Sequence, residues 1–94
     1  MRQQFLPTPV FLNKVKNRDP KAIEELYDFF APVIYGIITR LSPGEQNRHT
    51  IMSNVFFSLV NNIHEYKSEN SSFFSWVYAI TVKEILKHHE LHYS

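Results

Sequence analysis

Apolar residues in this chain recur three and four positions apart and nowhere alternate with polar ones. Ala22, Ile23, Leu26, Tyr27 and Phe30 follow that spacing, and Val33, Ile34, Ile37, Ile38 and Leu41 continue it. Two adjacent rows come later: Ile51, Val55 and Leu59 beside Met52, Phe56, Val60 and Ile63. Steps of three and four place side chains on one face of an α-helix, whereas a half-buried strand needs a period of two. The expected fold class is therefore all-α, a small helical bundle of about four helices.

Capping residues divide the pattern. After Pro7-Thr8-Pro9, the residues Val10, Phe11, Lys14 and Val15 suggest a short, marginal helix ending near Asn17. Asp19-Pro20 is a strong start, because Asp caps free backbone N–H groups and Pro is preorganised for the first helical position. Pro32 removes a backbone donor inside the continuing pattern and predicts a kink or brief break, with a second helix ending at Ser42-Pro43-Gly44. The next helix is expected over residues 45–63. Its polar side carries Asn47, Thr50, Asn54 and Asn61, with Phe57 intruding, and these side chains are expected to face solvent. Residues 64–72 are polar and read as a loop. Ser71 or Ser72 then caps a last helix running to about His89. Its first half is apolar nearly all round, and Phe73, Trp76, Val77 and Ile80 are expected in the core.

Bulk properties narrow the function. With 94 residues the chain is expected to form one domain, 1–94, with loose ends at 1–9 and 91–94. There is no cysteine, which excludes disulfides, thiolate metal sites and a cysteine nucleophile. The net charge of +1 argues against whole-surface attraction to nucleic acid, so any such contact must be local. No segment approaches the roughly 20 apolar residues of a membrane span, and no signal-peptide core is visible. A cytoplasmic protein without a membrane partner is expected. His88 and His92 have a metal-compatible spacing but no evident third ligand, so no metal site is assigned. Scattered carboxylates, only two glycines and no recognisable Ser–His arrangement argue against an enzyme, and no catalytic residue or cofactor is assigned.

Three segments, taken in order, carry a resemblance. The first runs from Asp19-Pro20-Lys21-Ala22-Ile23 through Leu26-Tyr27 to Phe30-Ala31-Pro32-Val33-Ile34-Tyr35. The second is Ile51-Met52-Ser53-Asn54-Val55-Phe56. The third is Ser72-Phe73-Phe74-Ser75-Trp76-Val77-Tyr78-Ala79-Ile80. Over residues 10–90 the set resembles the region-two domain of bacterial RNA polymerase sigma factors of the extracytoplasmic-function group. The resemblance implies a non-catalytic transcription-initiation module. Its third long helix would dock on core RNA polymerase through Asn47, Arg48, Thr50, Asn54, Phe57 and Asn61. The loop and last helix would hold melted minus-ten promoter DNA through Lys67, Ser68, Asn70, Ser71, Phe74, Tyr78, Lys83 and Lys87. An anti-sigma protein is a further implied partner.

The chain also departs from that family. Where members usually carry Ala-Glu-Asp, this sequence has Arg48, His49 and Thr50, and the following Gln and acid are Ser53 and Asn54. In the last helix, Lys83, Lys87 and Glu90 stand in place of Asn, Asp and Arg. No helix-turn-helix domain follows within this sequence, so the resemblance fits either part of a longer sigma factor or a stand-alone region two. The alternative expectation is a degenerate sigma-like interaction module, binding polymerase, an anti-sigma protein or itself without promoter recognition.

Overall fold

Thr8 opens the first helix: its Oγ1 accepts the backbone N–H of Phe11 at 3.1 Å, and Pro9 follows at the first helical position. This helix, α1, spans Pro9–Lys16 in the computed structural model, which describes residues 7–93 and side chains as far as Glu90. Arg18 then takes a left-handed backbone conformation, with φ of 62°. Its turn delivers Asp19, whose carboxylate accepts the N–H of Lys21 at 3.0 Å and caps α2, Pro20–Leu41. α3 is Arg48–Asn61, followed by a single 3-10 turn at Ile63–Glu65, and α4 is Phe73–Tyr93. Every regular element among the described residues is helical.

α2, α3 and α4 each pack on the other two, and α1 lies against α2, α3 and the 3-10 turn. The core joins Leu26, Phe30, Ile34 and Ile38 of α2 to Ile51, Val55 and Leu59 of α3 and to Phe73, Val77 and Ile85 of α4. α1 adds Val15 to it. α4 thus packs against both α3 and α2.

Four boundaries differ from the sequence expectation. α2 runs unbroken across Pro32. The proline and Asp28, four residues earlier, are both exposed, so water can satisfy the carbonyl that loses its partner. One interior proline costs about 3 kcal/mol or more. Fully burying a large apolar side chain returns about 1.5–3 kcal/mol, and Leu26, Phe30, Ile34 and Ile38 together outweigh the proline. α3 begins at Arg48 because Gly44, with φ of 80°, closes a turn in which Glu45 N–H donates to Ser42 O. It ends before Ile63 because the side-chain amide of Asn62 folds back on the Ser58 carbonyl at 2.9 Å. α4 continues four residues past His89, since no glycine or proline follows to stop it.

Trp76 is also less enclosed than expected. It is half-buried at the edge of the core, stacked with Tyr66 and Phe73 at centroid separations of 5.6 Å. Ile80 is half-buried too, while the fully enclosed positions of α4 include Thr81. The Thr81 hydroxyl is accommodated by donating to its own helix, to Val77 O at 2.8 Å. Residues 1–6 and Ser94 lie outside the described residues, as do the side chains of 91–93, including His92.

Candidate functional site

Burying Ile51, Met52, Val55 and Leu59 turns the opposite side of α3 outward. Thr50, Asn54 and Phe57 are exposed there, and Phe57 is the most exposed large apolar side chain described, at 73%. Beside it runs a groove of about 450 Å³ between α3 and α4. Thr50, Asn54, Phe57 and Asn61 line one wall, and Glu84, Lys87 and His88 line the other. The Glu84 carboxylate is almost enclosed and meets Lys87 Nζ at 3.6 Å. Acidic groups are scarce in this groove: α3 has none, and Glu84, the acid of α4 that lines it, is already paired.

Two members of the expected docking stripe sit otherwise. Asn61 is half-buried, not solvent-facing, because its Oδ1 accepts from Arg18 Nη2 at 2.7 Å and ties the end of α3 to the α1–α2 turn. Arg48 turns toward α2, with its guanidinium 5.6 Å from the centre of the Tyr35 ring and a buried Nε without a hydrogen-bond partner. His49 approaches the same ring at 6.4 Å. Asn47 is exposed just before the helix, and its side chain makes no cap bond.

Lys67, Ser68, Asn70 and Ser71 are all exposed in the loop before α4. The loop is closed by Asn70 N–H donating to Lys67 O at 3.0 Å and by Tyr66 Oη donating to Ser71 O at 3.0 Å. Ser72, rather than Ser71, caps α4 by accepting the N–H of Ser75 at 3.1 Å. Phe74, Tyr78, Lys83 and Lys87 are exposed along α4. They do not share a face. Phe74 and Lys83 are nine positions apart, as are Tyr78 and Lys87. Nine positions are about two and a half helical turns, which puts the aromatic pair and the lysine pair on opposite sides. Lys87 belongs to the groove with α3.

A cluster absent from the sequence reading closes the far end of the bundle. Glu45 and His88 are nearly enclosed, with side chains 3% and 4% exposed, and Glu45 Oε2 lies 3.4 Å from His88 Nε2. Glu45 Oε1 lies 3.7 Å from His89 Nε2, which shares a 2.8 Å hydrogen bond with Ser42 Oγ. Glu45 Oε2 also accepts the N–H of Asn47 at 2.9 Å, and so serves the start of α3 from outside the helix. That backbone donor is the main cause holding the Glu45 carboxyl below its ordinary range. Burial opposes it, and the two imidazoles assist it. The sequence places Glu45 at the start of the next helix and the His88-His89 pair at the end of the last one, and nothing in their spacing joins them across 43 residues.

Among the described residues, no group of three His, Asp or Glu side chains is placed to hold a metal ion. His92, the second half of the sequence's metal-compatible pair, falls outside the described side chains. No helix among the described residues is long and apolar enough to cross a membrane. No family model, curated protein or solved structure matches the chain.

Proposed function

We propose that this chain is a non-catalytic transcription-initiation module of the sigma region-two kind, working in the bacterial cytoplasm and docking on core RNA polymerase through the outward face of α3. The observation that supports this is Phe57, an aromatic ring 73% exposed beside a groove with amide and hydroxyl groups on the α3 wall and Glu84, Lys87 and His88 on the other. A single exposed apolar residue is ordinary. An aromatic anchor flanked by polar groups and set against a concavity has the make-up of an interface centre. The direct experiment is pull-down with purified core polymerase. Wild type is retained, and the double substitution His49→Glu, Thr50→Asp, which restores the family's acids, strengthens retention. Unchanged retention in that variant would mean that α3 is not aligned with the family's docking helix.

Promoter DNA in this reading meets the exposed loop and α4. Three phosphate contacts, from Lys67, Lys83 and Lys87, would give a log–log salt slope of roughly −2 on single strands, so binding by the isolated chain is weak. Stacking on Phe74 or Tyr78 would add about 1–3 kcal/mol per base.

One observation favours a second reading, an interaction module without promoter recognition that binds polymerase, an anti-sigma protein or itself. The stacking aromatics and the lysines of α4 point to opposite sides, so a single strand following that helix meets one set or the other. Fluorescence anisotropy with short strands carrying a minus-ten-like element separates the two readings. Sequence-selective binding lost in Asn70→Ala and in Tyr78→Ala supports promoter contact. No binding at low salt with polymerase present leaves the interaction module.

A further inference from the structure

The groove between α3 and α4 holds a carboxylate that its surroundings under-serve. Glu84 lines the groove from α4, and its side chain is only 9% exposed. Removing a carboxylate from water is costly unless charge and hydrogen bonds replace the lost solvation. Among the described residues the replacement is one contact, Lys87 Nζ at 3.6 Å, a turn further along the same helix. That separation is longer than a good N–H···O bond, so the carboxylate keeps acceptor capacity for a better donor. Lys87 is a loose partner, because its side chain is 59% exposed and loses rotamer freedom when held in one place. Across the groove stands Phe57, the most exposed large ring, with Thr50 and Asn54 on the same wall.

We propose that this groove is a binding site for an arginine side chain of a protein partner, with Glu84 as its counter-ion and the Phe57 ring as the surface on which the guanidinium stacks. The chemistry of the two walls selects that ligand. An under-served carboxylate calls for a cation that donates hydrogen bonds, and an exposed ring face attracts cations as well. A guanidinium meets both demands, since it is planar, donates to a carboxylate in a fixed fork and stacks on an aromatic face. An ammonium is a compact, strongly hydrated point charge, and it gains less by displacing Lys87, which already offers one. The remaining guanidinium donors have acceptors in the side-chain oxygens of Thr50 and Asn54. A phosphate or an acidic peptide would instead meet the Glu84 charge. The volume of about 450 Å³ admits a side chain together with the backbone that carries it, so the arginine arrives on a polypeptide. The assignment rests on the docking reading only in that this groove meets a protein partner; the arginine site itself stands on Glu84 and Phe57.

NMR titration of the full chain with N-acetylarginine amide tests it, with N-acetylcitrulline amide as the uncharged isostere. Wild type shows saturable shifts in the backbone amides of residues 54–58 and 84–88, with a dissociation constant on the order of 1 mM for a ligand of this size. The citrulline compound produces none. Glu84→Gln keeps the shape, removes the charge and abolishes saturation. Phe57→Ala weakens binding roughly two- to fivefold, the loss of a stacked cation at an exposed ring. Lys87→Met removes the competing cation and tightens binding roughly two- to fivefold. A Glu84–Lys87 pair with a structural role alone gives no such gain, so this variant carries the test even where Glu84→Gln folds poorly. No saturable shift in wild type, equal shifts with the citrulline compound, or unchanged binding in Lys87→Met overturns the arginine site. Core polymerase that loses affinity for Phe57→Ala but binds Glu84→Gln as well as wild type also overturns it, while docking through α3 stands. Arginine binding without polymerase binding supports the site and removes polymerase as the partner.

Discussion

Arg18 shows how one residue can carry strain and a tie at once. Its left-handed backbone costs about 1–2 kcal/mol for a residue with a Cβ, while its guanidinium holds Asn61. Arg18→Gly loses the tie but relieves the strain, and Arg18→Ala loses the tie and keeps it. Urea denaturation should therefore place Arg18→Ala below Arg18→Gly in stability by roughly 1 kcal/mol. Glu45 gives a second prediction at this scale. Its folded pKa is depressed, so its contribution is complete above the ordinary carboxylate range and is lost as pH falls through the folded value. Below about pH 4.3 the wild-type acid unfolding curve should be steeper than that of Glu45→Gln. Local capping was legible in the sequence, because Asp19 and Ser72 act on amides two and three residues away. The Arg18–Asn61 and Glu45–His88 contacts were not, because each joins side chains 43 positions apart.

At the scale of the element, α2 is the instructive case. The apolar period gave its extent, and the local rule for Pro32 gave a break that tertiary burial overrides. Pro32→Ala should restore one backbone hydrogen bond on the solvent side and raise stability by roughly 1–3 kcal/mol, read as a higher thermal midpoint with unchanged helix content. In α4 the buried face mixes Phe73, Val77 and Ile85 with Thr81, Glu84 and His88. Hydropathy alone misses that face, because each of the three polar residues is served by a specific partner: Val77 O, Lys87 and Glu45. For the same reason the sequence overstated the burial of Trp76, whose ring covers the end of the core rather than filling it.

For the whole molecule, the all-helical bundle was legible because its core is made of uninterrupted three-and-four rows on α2 and α3. Leu26 is fully enclosed at the centre of that core, and Leu26→Ala should cost about 2–5 kcal/mol in equilibrium unfolding. The candidate site was legible only in outline. Thr50, Asn54 and Phe57 face outward as their spacing implies, but the groove beside them depends on how α4 lies across α3, which no local pattern encodes. Phe57 touches this groove without supporting the core, so Phe57→Ala should change folding stability by less than about 0.5 kcal/mol.

That separation of surface from core makes the binding of Phe57→Ala to core RNA polymerase the most direct measurement. Equilibrium titration of labelled chain with purified core enzyme should show saturable binding by wild type. In Phe57→Ala, affinity should fall about tenfold or more, the loss typical of a central aromatic anchor, while the circular dichroism spectrum is unchanged. Saturable binding of equal strength in the two proteins, or no binding by wild type, would contradict docking through α3.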